Sequence, residues 1–305
     1  MPVIFITGCS TGIGYVTAEN LARNGNTVYA TMRNSVQSPK LQRVADKDHL
    51  PLHVLPLDVL NDESVEAAVN FVMKKEGHID VLINNAGISS WGAVEELTMD
   101  SFTSDMNTNY FGTVRCIKAV LPSMRERKSG TIINISSIAG KLFSNFHSTY
   151  CASKAAVEAF SESLAQEVQP FNIKVVVIEP SIIETPIFNK AREIPAGTKY
   201  PGIKRYMSLF AAALEAHDSP EKVAELIKEI VSGKAGSFRR PVGITAEGFL
   251  NFRTSMSDDE WVNSVSVTDE EWVAGMEQMG LPVGTYMRTN ALPQLNKLVL
   301  AEHEV

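Results

Sequence analysis

Six short apolar runs, rich in β-branched residues, punctuate the first two thirds of the chain. They are VIFIT (3–7), TVYAT (27–31), LHVLPL (52–57), IDVLIN (79–84), TIINIS (131–136) and KVVVIEP (174–180). Each is nearly continuous in its hydrophobicity, as strands covered on both faces should be. Between them the apolar positions take a helical period. The segment opening at GIGYV ends on Gly25, and DESVEAAVNFVMKKEG runs from Asp62, the expected N-cap, to Gly77. Longer helical stretches span about 100–127 and 148–169. Strands alternating with helices imply right-handed crossovers and an α/β architecture with a doubly wound parallel sheet. SPEKVAELIKEIVSGK (219–234) adds a helix and RRPVG (239–243) a last short strand.

Two regions break the alternation. Residues 186–217 are interrupted by Pro195 and Pro201 and carry Phe188, Tyr200, Tyr206, Met207 and Phe210. The tail, 245–305, holds a near-repeat, DDEWVN (258–263) and DEEWVA (269–274), which reads as two amphipathic helix starts. We therefore expect one catalytic domain over 1–305, with a small cap at 186–217 and a C-terminal extension at 245–305.

Composition narrows the function. The chain has 305 residues, is 44% hydrophobic and carries a net charge of -7, with no basic cluster of the kind nucleic-acid binding needs. Its longest apolar runs are far too short to cross a bilayer, and MPVIFITG lacks the features of a signal peptide. Cys9, Cys116 and Cys151 have no paired spacing, which points to a reducing, cytoplasmic setting. The six histidines show no metal-ligand spacing, so no metal is expected.

The first strand runs directly into TGCSTGIG (7–14), which opens a helix. Gly8, Gly12 and Gly14 in that setting allow a tight turn and a close backbone approach to a pyrophosphate at the helix N-terminus. GCSTG also fits the nucleophile elbow of α/β hydrolases. That reading requires the serine on an inner strand and an acid and histidine in order after it, whereas Ser10 follows the first strand. The second strand ends VYATMRN, with no acidic residue to hold a ribose 2′-hydroxyl. Arg33 instead suits a 2′-phosphate, with Ser10 and Thr11 nearby in the loop, so NADP(H) is expected over NAD(H).

These features, with LDV (57–59), NNAG (84–87), ISS (135–137), YCASK (150–154) and EPSIIET (179–185), resemble the short-chain dehydrogenase/reductase family over residues 3 to 245. VYATMRN, NYFGTVR (109–115) and YCASKAAVEAFSESLA (150–165) look like its 17β-hydroxysteroid dehydrogenase branch. The resemblance implies a Rossmann fold, and it implies roles. Tyr150 would be the general acid/base, and Lys154 would tune it and hold the nicotinamide ribose. Ser137 would bind the substrate oxygen, and Asn109 would steady a helix kink and a water. Gly8, Ser10, Thr11, Gly12, Ile13, Gly14, Arg33, Asp58, Val59, Asn85, Ala86, Gly87, Pro180 and Thr185 would line the cofactor. The region 186–217 would cap the substrate, and the two long helices would form a homodimer. Ser181 departs from the pattern, because the family has glycine after the proline of the sixth strand. Its side chain is expected near the nicotinamide or the substrate mouth.

The chemistry also follows from the residues. Hydride transfer to a ketone leaves an alkoxide that needs a proton. A tyrosine with a pKa of about 10 must drop by about three units, or about 4 kcal/mol, to serve near neutrality. An ammonium about 4 Å away supplies about that much at an effective dielectric near 20. Tyr150 and Lys154, four apart on a helix, share a face. The aromatic cap suggests a lipophilic ketone or secondary alcohol, steroid-like in size. Smaller aryl or alkyl carbonyls, or a non-catalytic dinucleotide-binding sensor, are the alternatives. His147 reads as a solvated loop histidine and Cys151 as a packing residue.

Overall fold

All seven expected strands form, at or within two residues of the runs that announce them. They are β1 (Val3–Ile6), β2 (Thr27–Met32), β3 (Leu52–Pro56), β4 (Val81–Asn84), β5 (Gly130–Ile135), β6 (Ile173–Pro180) and β7 (Arg239–Val242). The computed structural model describes residues 1–35, 39–190, 198–234, 236–289, 292–295 and 298. Among these the strands pair into one parallel sheet in the order β3-β2-β1-β4-β5-β6-β7. The order reverses between β1 and β4. At that point the two following loops diverge to opposite faces and leave a crevice at the carboxyl edge.

Helices cover both faces. On one side α1 (Gly12–Arg23), α2 (Lys40–Lys47) and α9 (Pro220–Val231) pack over Ile4, Ile6, Val28 and Val176. On the other, α3 (Asp62–Glu76), α5 (Gly112–Arg127) and α6 (Ser148–Val168) bury Phe5, Tyr29, Leu82 and Ile132. Full burial of each such side chain contributes about 1.5–3 kcal/mol. The α3 N-cap is Asn61, not Asp62, and its side chain accepts the Ser64 N–H at 2.6 Å. Asp62 instead occupies the first turn, where its charge suits the helix dipole. The stretch expected as one helix from about residue 100 contains α4 (Met99–Asp105), a π-helical turn at Met106–Phe111, and then α5.

A third core lies over the carboxyl edge. There Trp91, Phe188, Ile203, Tyr206 and Phe210 meet Phe249, Leu281 and Val283. The region expected as a cap contributes α7 (Ile187–Lys190) and α8 (Ile203–Glu215); its residues 191–197 lie outside the described residues. The extension contributes α10 (Ala246–Thr254), α11 (Asp258–Asn263), α12 (Asp269–Gln278) and α13 (Gly284–Met287), while 290–291, 296–297 and 299–305 lie outside. The near-repeat explains itself locally. Ser257 with Glu260, and Thr268 with Glu271, form a capping box at the head of α11 and of α12.

Candidate active site

The β1 and β4 loops are clasped together at the switch point. Thr7 Oγ1 accepts the N–H groups of Asn85 and Ala86 at 3.0 and 3.1 Å, and Asn85 Nδ2 donates to the carbonyls of Thr7 and Gly8. Gly8 stands at φ +74°, and a Cβ there would come within 2.7 Å of Ala86 Cα. Gly12 stands at φ +60°, with Thr185 Cβ 3.2 Å from where its own Cβ would be. Only glycine permits both the left-handed backbone and the close approach.

From these loops opens a cleft of about 680 Å³. Most of the expected dinucleotide residues line it: Gly8, Ser10, Thr11, Gly12, Ile13, Arg33, Asp58, Val59, Asn85, Ala86, Gly87, Pro180 and Thr185. Gly14 does not line it. A side chain there would collide with the Gly8 carbonyl and Asn85, so its role is close packing of helix on loop. Arg33 lies exposed just past the end of β2, with no ion pair among the described residues. Among the described residues Ser10 has no histidine partner of the kind a nucleophile elbow would need.

The cleft continues to Ser137, Tyr150 and Lys154. Ser137 follows β5, where its Oγ accepts the Ala139 N–H at 3.1 Å and caps a short 3₁₀ turn. The buried Lys154 ammonium donates to the Ile135 carbonyl at 2.7 Å and lies 5.6 Å from the Tyr150 ring centroid. Burial lowers the Lys154 pKa to about 8, opposed by Glu158 and Asp105. Burial raises the Tyr150 pKa above its ordinary value, and the facing Ser137 hydroxyl opposes the rise.

Asn109 lies in the π-helical turn and is buried behind the cleft wall. Its Oδ1 accepts the Ile88 N–H at 2.9 Å, and its Nδ2 donates to the Ile88 carbonyl and to Ser153 Oγ. Ser153 Oγ in turn donates to the Tyr150 carbonyl. Asn109 thus ties the β4 loop to the helix that carries Tyr150 without itself reaching the cleft.

His147 departs most from expectation. It is not solvated but 5% exposed, and it lines the cleft. Its Nε2 meets Ser89 Oγ at 2.8 Å, and the Trp91 indole N–H points between the two, 2.7 Å from Ser89 Oγ and 3.0 Å from Nε2. Burial lowers its pKa to about 3. Asp105, fully buried, accepts from Ser90 N, Ser90 Oγ and Thr149 Oγ1, and so fixes the approach to Tyr150 from two sides. Sequence reasoning missed Ser89, Trp91 and Asp105. It weighed His147, three residues before Tyr150, as a substrate contact and preferred the solvated loop that the burial overturns. Ser181, which also lines the cleft, turns its hydroxyl toward Asp218 Oδ2 at 3.4 Å. Cys151 is a buried packing residue.

The fold and cleft define a dinucleotide-binding α/β oxidoreductase. The family model for short chain dehydrogenases matches residues 2–195, and the chain belongs to that family. It is 40% identical to the 3-ketodihydrosphingosine reductase of Bacteroides thetaiotaomicron over 79% of this chain and 87% of that one. It is 36% identical to retinol dehydrogenase 8 of Bos taurus, covering 78% and 80%. It is 34% identical to 17-beta-hydroxysteroid dehydrogenase type 1 of Homo sapiens, covering 88% and 85%. Among solved structures, a short-chain dehydrogenase from Streptomyces avermitilis superposes with a TM-score of 0.74 at 31% identity, covering 92% and 97%. The protein is an oxidoreductase of the CH–OH/C=O class that uses a nicotinamide dinucleotide. Among the described residues no helix is long and apolar enough to cross a membrane.

Proposed function

We propose that the chain interconverts a lipophilic ketone and its secondary alcohol with NADP(H), using Tyr150 as the general acid/base. The observation that carries the substrate reading is the aromatic wall beside Tyr150, where Trp91, Phe188, Tyr206 and Phe210 pack with ring centroids 4.8 to 6.1 Å apart. Relatives named for a ketosphingoid, for retinol and for a hydroxysteroid support it. The Arg33 guanidinium at the cleft margin, without an ion pair among the described residues, supports the 2′-phosphate.

A bound dinucleotide supplies the hydride; the rest is done by the chain. Ser137 holds the carbonyl oxygen, and Tyr150 gives that oxygen its proton as the alkoxide develops. Lys154 holds the ribose and restores the proton to Tyr150, a role for which its pKa of about 8 suits it. Asn109 positions the helix bearing both. Residues 186–217 act as the substrate cap on the domain, and 245–305 form a C-terminal extension whose described residues Phe249, Leu281 and Val283 pack against it. The free, buried cysteines support a cytoplasmic setting, and α5 and α6 are the proposed homodimer faces. The test is a panel of steroid, retinoid, long-chain and small aryl or alkyl carbonyls with NADPH and NADH. Turnover confined to small carbonyls, or faster with NADH, would overturn the substrate or cofactor assignment respectively.

A further inference from the structure

The near-repeat of the extension recurs as geometry. Its two units open α11 and α12, and each holds an arginine in the same way. Arg253 pairs with Asp258, lies 5.5 Å from the centre of the Trp261 ring, and donates to the Met256 carbonyl at 3.2 Å. Arg205 pairs with Asp269 at 2.6 Å, lies 5.9 Å from the centre of the Trp272 ring, and donates to the Val267 carbonyl at 2.8 Å. The offsets are the same in both units: a carbonyl two residues before the aspartate, the aspartate itself, and a tryptophan three residues after it. Carboxylate, carbonyl and ring face together suit the planar fork of a guanidinium, which an ammonium does not reproduce.

The two arginines come from helices that line the cleft. Arg253 stands in the last turn of α10, which contributes Phe249. Arg205 stands in α8, which contributes Tyr206, Leu209 and Phe210. The first clamp is local, with partners five residues apart, whereas the second spans 64 residues. Val265 gives Arg205 a further carbonyl at 3.2 Å, and the neighbouring Lys204 donates to the Met287 carbonyl at 2.6 Å. Asp269 is 61% exposed, so its charge alone contributes little, and the fork and ring carry the hold. We propose that the near-repeat is a two-unit arginine clamp, and that through its second unit Arg205 is a positioning residue for the substrate. It sets the place of Tyr206, Leu209 and Phe210, and with them the fit of a bulky lipophilic ketone. A small carbonyl needs only the Ser137 and Tyr150 end of the cleft and does not depend on the clamp. This rests on the lipophilic-carbonyl reading above and adds to it the element that shapes the substrate wall.

The test compares a steroid ketone and a long-chain methyl ketone with a small aryl methyl ketone, using the full chain and saturating NADPH. Arg205→Met keeps the unbranched stem and removes the fork. It should raise KM for the bulky ketones about fivefold or more relative to the aryl ketone, while kcat for the aryl ketone and the Kd of NADPH stay within about twofold. Trp272→Leu should move the same ratio in the same direction, and Arg205→Lys, which keeps the charge without the fork, should restore only part of it. Arg23→Met on α1, which breaks surface pairs with Glu19 and Asp48, should leave the ratio alone. A purely structural role would lower the melting temperature without moving the ratio. A ratio unchanged in Arg205→Met and Trp272→Leu would overturn the clamp and leave the reductase reading intact; if Arg205→Met does not fold, Trp272→Leu decides. Failure of the wild type to turn over either bulky ketone would overturn the lipophilic reading and the clamp's role with it.

Discussion

The imidazole of His147 lies nearly flat on the phenol of Tyr150, with ring centroids 4.6 Å apart and planes inclined by 12°. The imidazole is itself fixed by Ser89 and Trp91, so the phenol leans on a braced surface. If Tyr150 hands over a proton as proposed, this holds it in one orientation and keeps the ordering penalty out of the reaction step.

Tyr150→Phe keeps this stack and removes only the hydroxyl. Turnover of an accepted ketone should fall by about 10²–10⁴-fold, the usual worth of a positioned proton donor. Binding of NADPH, followed by its fluorescence, should persist. Undiminished turnover would remove Tyr150 from the chemistry.

Arg33→Ala should weaken NADPH and spare NADH. A charge-assisted contact to a phosphate is worth about 1.5–3 kcal/mol, or roughly 10–100-fold in kcat/KM for NADPH. Steady-state kinetics with both cofactors decide it, and an NADPH preference that survives the substitution would remove Arg33 from the assignment.

Gly8→Ala places a methyl group 2.7 Å from Ala86 Cα on a backbone at φ +74°. The change should cost at least about 1 kcal/mol of stability, because an alanine is strained there even before the contact is counted. It should also pry apart the β1 and β4 loops and abolish cofactor binding. Thermal unfolding with and without NADPH reads both effects.

His147 should make the protein acid-sensitive. Its folded pKa of about 3 lies below its unfolded value of 6.5, so on acidification the unfolded chain takes up the proton first. Its contribution is nil above the unfolded pKa, and stability is lost as pH falls from 6.5 toward 3. The slope is about 1.4 kcal/mol per pH unit, or about 2 kcal/mol by pH 5. Urea unfolding of wild type and His147→Phe between pH 7 and pH 5 should show the wild type losing more by that amount. Glu179, raised to about 7 mainly by burial, acts in the opposite sense, gaining stability as pH falls from 7 toward 4.5. The difference between the two proteins cancels its effect.

The sheet was legible because each strand is a continuous apolar run and each crossover has a helical period, so local pattern and tertiary demand agree. Tyr150 and Lys154 were legible because one helical turn joins them, and Ser137 because it ends a strand. What escaped was set by contacts that no periodicity encodes. His147 is polar, stands at the head of a helix and follows a loop, all of which suggest water. Its burial comes from Ser89, 58 residues away, and from Trp91, 56 residues away.

Trp91 gives the molecule a further use. It is one of three tryptophans, and it sits in the cleft wall at 3% exposure, against His147 and Phe210. The other two, Trp261 and Trp272, belong to the helices of the extension. The chain thus carries an intrinsic fluorophore within its own binding chamber. Quenching of its buried, blue-shifted emission would report occupancy directly, before any catalysis and without a label, and unknown compounds could be screened in this way for whatever the chamber accepts.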